Sequence, residues 1–379
     1  MNKFLPPKRL QGIERSVIRQ ILDRALPGSI NLGLGEPDLP TPDVIRRAAA
    51  RVVIEEQNGY TSHSGLPALR EKVAAQYPYL EGNADRVLIT AGSQESLYLA
   101  LLALVEEGDE VLLPNPGFVA YPTIVKMAGG TSTLYRLPRD NDFTFDIDEF
   151  RRALSPRTKV VVCISPSNPS GRTLTRDDLL KIADVMRDHG AYLISDEIYR
   201  ELYYTADRPE SLSSFYDRTI LISGLSKSMS MTGWRLGWLC GDEAVVNATL
   251  VLHGYVTTCA STVSQKAALV AWTDEAEAAR AGFRETFRSR RDHLLRLIES
   301  ELGLRAIKPD GAFYTMLDVS DYGSSFKVAD ALLRERVITV PGAGFGSESE
   351  GFLRVSFCAD QETLTEGVQR IKRGLKSLT

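Results

Sequence analysis

The sequence predicts an α/β protein in which a larger domain, residues 42–280, is built on a mostly parallel β-sheet, and residues 1–41 and 281–379 form a smaller α+β domain. From about residue 86, strand-like and helix-like segments alternate, which is the rhythm of βαβ units. The strand-like runs, such as KVVVCIS and RTILISG, are continuously apolar, as expected when helices cover both faces of a parallel sheet. Beyond residue 280, a long charged helix leads into shorter strands and helices, a pattern typical of an α+β unit.

In the larger domain, short apolar runs identify the strands, and longer stretches with apolar residues three and four apart identify the helices. The expected strands are RVLIT (86–90), DEVLLP (109–114), STLYRL (132–137), KVVVCIS (159–165), AYLIS (191–195), RTILISG (218–224) and RLGWLC (235–240). The expected helices are SQESLYLALLALVEE (93–107), FVAYPTIVKMAG (118–129) and RDDLLKIADVMRDHG (176–190).

In the smaller domain the same patterns predict an amphipathic helix that opens the unit and a helix that ends the chain. The expected helices are 275–300, 326–336 and the C-terminal segment, and the expected strands are 304–308, 312–319, 337–340 and 353–357. An N-terminal amphipathic helix near 15–26 and the loop NLGLGEPDLPTP (31–42) are expected to fold back onto this unit, which makes the domain discontinuous in sequence.

Charge and composition exclude several classes of function. The chain carries 45 Lys and Arg against 49 Asp and Glu, with no long run of one sign, so a nucleic-acid partner is not expected. The longest apolar run, LYLALLALV (97–105), is far shorter than the roughly 20 residues of a membrane-spanning helix. The segment MNKFLPPKRLQG lacks the apolar core of a secretory signal, so a cytoplasmic location is expected.

The four cysteines and four histidines are scattered along the chain. No C-x-x-C pair and no metal-type spacing occurs, so the cysteines are interpreted as reduced core residues and no metal site is expected.

Polar residues follow several of the expected strands, and the carboxyl ends of strands are where ligands bind in open α/β sheets. Asp196 follows AYLIS, with Tyr199 three residues later, and Asn168 follows KVVVCIS. Taken alone, Asp196 could equally be a helix cap and Asn168 a turn residue. After RVLIT, the backbone amides of Gly92, Ser93 and Gln94 begin a helix, and such amides can bind phosphate.

Lys227 ends the stretch RTILISGLSK, and Arg235 follows eight residues later. Desolvation at a strand end and a neighbouring cation both favour a neutral amine, lowering the pKa of Lys227 from its usual value near 10.4. A neutral lysine forms Schiff bases with carbonyl compounds. Pyridoxal phosphate (PLP) is an aldehyde cofactor that also requires a phosphate site and an acid beside its ring nitrogen, and the sequence offers both.

Ten motifs in order make the chain resemble the class I/II aminotransferases, which are PLP-dependent enzymes of fold type I. They are NLGLGEPDLPTP, YTSHSGLPALREKVA, AGSQES, PNPGFVAYP, SPSNPSG, ISDEIY, GLSKSMSMTGWRLG, KPDGAFY, PGAGFG and LRVSF. The resemblance covers nearly the whole chain and implies a seven-stranded, mostly parallel sheet. It also implies a homodimer that moves an amino group between an L-amino acid and a 2-oxo acid by a ping-pong mechanism, with 2-oxoglutarate and glutamate as one substrate pair.

The same resemblance assigns roles to residues around the cofactor ring. Lys227 matches the lysine that forms the aldimine and then transfers the substrate's Cα proton, and Asp196 matches the carboxylate that keeps the ring nitrogen protonated. Tyr199 and Asn168 match the groups that hydrogen-bond the phenolic oxygen, and Phe118 matches the aromatic residue stacked on the ring.

Further positions match residues that bind the phosphate and the substrate. Arg235, Ser226 and the Gly92–Ser93 turn match the phosphate ligands, with Gln94 next in the same turn. Tyr60 matches a tyrosine that reaches the phosphate site of the neighbouring subunit. Arg354 matches the arginine that binds the substrate α-carboxylate as a bidentate fork, close to Asn168 and to the backbone of Gly35.

Three positions depart from common forms of the family pattern. Gly224 stands where a phosphate-binding serine is frequent, and Leu39 replaces a frequent phenylalanine. Ser93 stands where a subgroup that prefers dicarboxylic substrates has a lysine. The resemblance therefore does not imply a strict preference for aspartate.

Other functions remain open at this level. The same scaffold could support a C–S lyase or another α,β-eliminating PLP enzyme, because the sequence does not reveal which Cα bond is broken. The GAGFG segment (342–346) could suggest a nucleotide-binding oxidoreductase, although a dinucleotide site requires a helix directly after it. A noncatalytic regulator would require a DNA-binding segment or basic face, and the sequence contains neither.

Overall fold

The computed structural model describes residues 6–7 and 10–378. The helices are α1 (Val17–Asp23), α2 (Asp43–Glu55), α3 (Pro67–Ala74), α4 (Ser93–Leu104), α5 (Tyr121–Met127), α6 (Ile147–Ala153), α7 (Arg176–His189), α8 (Glu243–Val256), α9 (Thr262–Ala268), α10 (Asp274–Leu297), α11 (Ser325–Arg334) and α12 (Gln361–Lys376). The strands are β1 (Ile30–Asn31), β2 (Val87–Thr90), β3 (Glu110–Asn115), β4 (Thr131–Arg136), β5 (Thr158–Ile164), β6 (Tyr192–Asp196), β7 (Thr219–Gly224), β8 (Gly237–Cys240), β9 (Tyr314–Asp318), β10 (Val337–Ile338), β11 (Val340–Pro341) and β12 (Phe352–Ser356).

Seven strands form one large sheet in the order β2-β8-β7-β6-β5-β3-β4. All neighbouring pairs are parallel except the two that involve β8. The central strands are buried on both faces, and Val160, Val161 and Val162 are completely inaccessible to solvent. This confirms the predicted α/β fold with a mostly parallel seven-stranded sheet, because continuous apolar runs are stable only when both faces are covered.

Local sequence explains where several helices begin and end. In α7, Thr175 and Asp178 form a capping box at the start, and Gly190 ends the helix with φ of 79°. Helix α5 is shorter than the predicted 118–129. It begins at Tyr121 with Pro122 in its first turn, so Phe118 lies in the preceding loop.

Smaller sheets form beside the large one. Strands β11, β12 and β9 make an antiparallel sheet, and β1 pairs in parallel with β10. The run predicted as one strand, 337–340, is therefore divided between two sheets. The strand predicted at 304–308 is wrong: the segment makes a single bridge between Ala306 and Leu317, and Pro309 has no amide hydrogen with which to extend the ladder.

The N-terminal segment joins the C-terminal elements, because β1 pairs with β10. The proposed domain boundaries stay a prediction, and the one at 280/281 falls inside α10. Residues 1–5, 8 and 9 of the segment used to predict location lie outside the described residues. Among the described helices, none combines the length and apolar character needed to cross a membrane.

Candidate active site

A cavity of about 240 Å³ lies at the carboxyl ends of the central strands. Eleven of the thirteen predicted site residues line it, namely Gly35, Ser93, Gln94, Phe118, Asn168, Asp196, Tyr199, Ser226, Lys227, Arg235 and Arg354. Parallel strands end at one edge of a sheet, so β5, β6 and β7 bring Asn168, Asp196 and Lys227 to the same place. Gly92 adjoins the cavity as the cap of α4, whereas Tyr60 does not line it and is 87% exposed.

Asp196, the last residue of β6, is a buried carboxylate. Tyr121 Oη donates a 2.8 Å hydrogen bond to Oδ2, and the backbone amide of Ile198 donates one of 3.2 Å to Oδ1. Burial raises the pKa of Asp196 to about 6, although these two hydrogen bonds oppose the shift. The group is therefore ionised at neutral pH, and no cation in the described part of the chain forms an ion pair with it.

Lys227 lies in the turn after β7, where its Nζ donates a 2.7 Å hydrogen bond to the carbonyl oxygen of Gly35. Burial lowers the pKa of Lys227 to about 8, and the charges of Arg354 and Arg235 act in the same direction. This is the direction that the sequence leads one to expect. The neutral amine is consequently a minor but appreciable fraction near physiological pH, whereas a lysine of ordinary pKa has almost none.

Arg354, in β12, is almost completely buried, with 1% of its surface exposed. Its Nη1 donates to Asn168 Oδ1 at 2.7 Å and its Nη2 to the carbonyl oxygen of Gly33 at 2.6 Å. Its Nε has no hydrogen-bond partner in residues 6–7 and 10–378, and no carboxylate there pairs with the guanidinium. A buried guanidinium without an anion is suited to bind a carboxylate from a ligand.

Tyr314, the first residue of β9, is a cavity residue that the sequence analysis did not single out. Its hydroxyl lies 3.0 Å from that of Tyr199, and its ring lies 4.2 Å below the Arg354 guanidinium. A Cβ atom on Gly35 would lie 1.6 Å from Tyr314 Oη, so only glycine allows this close approach. The motif KPDGAFY, which contains Tyr314, was the available signal.

The turn before α4 resembles a cradle for an anion. Gly92 has φ of +97°, and a Cβ atom there would lie 2.5 Å from Arg235 Nη2. Arg235 also has a left-handed backbone, with φ of 52°, and it donates to the carbonyl oxygens of Thr232 at 2.9 Å and Ala91 at 3.3 Å. The free amides of the α4 N-terminus thus lie next to a guanidinium.

Gly224 departs from the serine that is frequent at its position, and packing explains the difference. A Cβ atom on Gly224 would lie 2.8 Å from the carbonyl oxygen of Leu236 and 3.0 Å from the Cα of Gly237. Because these are backbone atoms of the adjoining strand and its lead-in, no side chain fits without moving β8.

A second set of residues missed by the sequence analysis holds the α4 turn from behind. Glu95 Oε2 accepts a 2.5 Å hydrogen bond from the amide of Ala91, and Oε1 accepts one of 2.6 Å from Thr257. His253 Nδ1, in α8, lies 3.1 Å from the same Oε1. Burial opposes ionisation of Glu95, but hydrogen bonds from His253, Thr257 and a backbone amide lower its pKa. The turn is therefore attached to a second helix.

In the described ranges, no group of three or more His, Cys, Asp or Glu side chains is placed so that it could bind a metal ion. The GAGFG segment forms a single 3-10 turn, Gly342–Phe345, and a second short turn leads directly into β12. A dinucleotide fingerprint needs a helix at this point.

Comparison with known proteins gives consistent matches. The family profile for aminotransferase class I and II matches residues 27–371. A probable aspartate aminotransferase of Methanocaldococcus jannaschii is 34% identical, with 96% of this chain and 98% of that protein covered. The aromatic-amino-acid aminotransferase 2 of Thermococcus litoralis is also 34% identical, with 97% of each chain covered. The solved structure of Thermus thermophilus aspartate aminotransferase with maleate superimposes with a TM-score of 0.93 at 32% identity, covering 98% of this chain and 100% of that one.

Proposed function

The chain belongs to the class I and II aminotransferase family, and from that membership we propose which of its own residues bind the cofactor and the substrates. It is a PLP-dependent enzyme that moves an amino group between an L-amino acid and a 2-oxo acid. An α,β-eliminating activity is not favoured, since the relatives named above are aminotransferases. We propose 2-oxoglutarate and glutamate as one of the substrate pairs.

The observation that carries the residue assignments is the placement of an unpaired buried carboxylate, a lysine of lowered pKa and an unpaired buried guanidinium in one cavity. These groups fit PLP and an amino acid, which together provide a ring nitrogen, an aldehyde and a carboxylate. When bound, the cofactor supplies the aldehyde and an electron-accepting ring. Arg235, Ser226, Ser93 and the Gly92 amide would bind its phosphate, with Gln94 at the edge of the same turn.

Asp196, Tyr199, Asn168 and Phe118 would hold the ring. The Asp196 carboxylate keeps a proton on the ring nitrogen, because the two opposite charges stabilise each other in a site that excludes water. Asn168 Oδ1 already accepts from Arg354, so its amide NH₂ is the group left to donate to the ring oxygen. If Tyr314 donates to Tyr199, the Tyr199 hydrogen is likewise directed to the ligand.

Lys227 and Arg354 would act on the substrate. The Arg354 guanidinium binds the α-carboxylate and so orients the Cα–H bond, while Gly35, which has no side chain, lets the Tyr314 hydroxyl approach the site closely. The neutral Lys227 amine accepts the Cα proton and later returns a proton, and it can do so because its pKa of about 8 is close to the working pH.

Borohydride trapping tests the cofactor assignment. Purified holoenzyme should lose its visible absorbance band on reduction, and peptide mapping should find the label on Lys227. Lys227→Ala should abolish the covalent label, whereas the exposed control Lys72→Ala should retain it. Label on another lysine would contradict the assignment. A panel of L-amino acids with 2-oxoglutarate should give glutamate, and release of ammonia and pyruvate would indicate elimination.

We propose that the chain acts as a homodimer in which Tyr60 contributes to the neighbouring phosphate site. Exposed apolar side chains support this: Val53, Ile54, Tyr60, Val251, Tyr255 and Val256 are each more than half exposed. Gly254, near the end of α8, lies beside His63: a Cβ atom built on Gly254 would be 3.3 Å from His63 Nδ1. The end of α8 therefore lies next to the segment that contains Tyr60. Light scattering should give a dimer for the native chain and a monomer for Tyr255→Glu, while the control Leu180→Glu on α7 should remain dimeric.

A cytoplasmic location is also proposed, and the free state of all four cysteines supports a reducing compartment. Fractionation of the source cells with antibody detection would test it, and recovery of the protein outside the cytoplasmic fraction would contradict it.

A further inference from the structure

A second cavity, of about 600 Å³, adjoins the active-site cavity. Four residues line both spaces, namely Ile18, Leu34, Gln94 and Phe118. Shared walls make the second cavity an extension of the first. A substrate whose α-carboxylate lies on Arg354 therefore has room beyond Leu34 and Phe118 for its side chain.

The lining of the second cavity is mainly apolar. Helix α1 contributes Ile18 and Leu22, and α5 contributes Ile124 and Met127. The charged groups that line it are Glu14 and Arg19, which are both exposed and of opposite sign. The volume lies within the roughly 300–1,000 Å³ of ordinary small-molecule sites.

The cations of the first cavity already have assignments under the proposed function. Lys227 would bind the aldehyde, Arg235 the phosphate and Arg354 the α-carboxylate. Among the described residues, the first cavity is lined by no other lysine or arginine. A distal carboxylate in the first cavity would therefore be buried without a free cation, and in the second cavity it would meet only Arg19, which is exposed to water and accompanied by Glu14. An apolar side chain gains from burial in the same space.

We propose that the second cavity is the side-chain subsite and that this enzyme takes amino acids with bulky apolar side chains, aromatic or long aliphatic, as donors. This inference rests on the proposed function and makes it more specific. Phe118 would thereby contact both the cofactor ring and the substrate side chain.

Half-reactions of the holoenzyme test the proposal without a second substrate. The second-order rate constant of the half-reaction, measured in single turnovers, should be at least about tenfold larger for L-phenylalanine and L-leucine than for L-alanine and L-aspartate. In calorimetry, 3-phenylpropanoate should bind at least about tenfold more tightly than succinate. A preference for L-aspartate and succinate would overturn the inference but leave aminotransfer intact. Absence of any half-reaction would instead contradict the proposed function.

Matched variants locate the effect. Thr123 lines the second cavity but not the first, so Thr123→Lys should weaken 3-phenylpropanoate binding by about tenfold and leave the L-alanine half-reaction unchanged. Thr131→Lys, on the exposed start of β4, should change neither. Unchanged binding in Thr123→Lys would overturn the proposed position. Tight succinate binding that is lost in Arg19→Gln would assign the cavity to dicarboxylic substrates. The wild-type comparison decides the issue if a variant does not fold.

Discussion

Asp196 and Arg354 are buried charged residues without charged partners among the described residues. Burial of an unpaired charge destabilises a folded protein, so each residue lowers stability in the absence of a ligand. Both charges face the same cavity, and a bound cofactor and substrate would supply the opposite charges. At the scale of single residues, the site is therefore incompletely neutralised by the chain itself.

Replacement of Asp196 tests this conflict between stability and function. The folded-state pKa is raised, so the folded protein retains this proton to higher pH than the unfolded chain, and stability falls as pH rises from about 4 to about 6. Asp196→Asn should therefore stabilise the cofactor-free protein at pH 7, by on the order of 3 kcal/mol, while its catalytic rate falls by at least about a hundredfold. Denaturant unfolding at pH 4 and pH 7 measures the difference.

The exposed control for this measurement is Asp188→Asn, which should be neutral at both pH values. Loss of stability at pH 7 in Asp196→Asn would show that the carboxylate is compensated within the chain.

The lowered pKa of Lys227 predicts how the cofactor is captured. The neutral fraction of the amine rises through pH 8, so the rate at which cofactor-free protein forms a borohydride-trappable linkage to PLP should rise with pH, with a midpoint near 8. Trapping over a pH series gives the midpoint. A midpoint near the ordinary lysine value of about 10.4 would mean that burial does not tune this amine.

Tyr314→Phe should separate the two roles of that residue. The variant loses the hydrogen bond to Tyr199 but keeps the ring beneath Arg354. We expect kcat to fall about five- to tenfold with KM nearly unchanged, whereas Tyr314→Ala should also raise KM. Steady-state kinetics and the pH titration of the cofactor absorbance measure these effects. Tyr322→Phe is the control, and equal effects of the two Tyr314 variants would contradict the division of roles.

At the scale of elements, the start of α4 depends on parts of the chain that are distant in sequence. Arg235, two residues before β8, and Gly237, its first residue, pack against the Gly92 turn from one side. Glu95 joins the turn to α8 from the other side. The phosphate cradle is therefore a product of packing between elements, and its geometry should be sensitive to small additions of volume.

A pair of identical substitutions tests this sensitivity. Gly92→Ala forces a side chain onto a backbone with φ of +97° and against Arg235, so it should destabilise the protein by about 1–3 kcal/mol and weaken PLP binding. Gly282→Ala, in α10 where nothing lies within 4 Å of the new Cβ, should instead stabilise by about 1 kcal/mol. Thermal unfolding and fluorescence titration with PLP measure both. Normal cofactor affinity in Gly92→Ala would remove the turn from the phosphate site.

At the scale of the whole molecule, the exposure of Tyr60 suggests that one chain does not complete the site. In a symmetric dimer the same surface is used twice, so two shared sites form together. The apolar surfaces of α2 and α8 would then be covered by the second subunit rather than by water.

Mixed dimers test the sharing of sites. Tyr60→Ala should bind PLP weakly, and Lys227→Ala should not form the covalent linkage. When the two variants are refolded together, a share of the sites should combine intact Lys227 with intact Tyr60 and regain native affinity and activity. Chains that carry both substitutions provide the control. Failure of the mixture to recover, although native mass spectrometry detects mixed dimers, would place Tyr60 outside the neighbouring site.

The sequence by itself determined the order of the seven large-sheet strands along the chain and the positions of Lys227, Asp196 and Asn168 at their ends, because apolar runs define strands locally and parallel strands share one carboxyl edge. Only the tertiary structure revealed the Tyr199–Tyr314 contact, between residues 115 apart in sequence, and the Glu95–His253 contact, between residues 158 apart. The second cavity was likewise decided by packing. Such contacts depend on the relative positions of distant segments, which no local pattern of residues specifies.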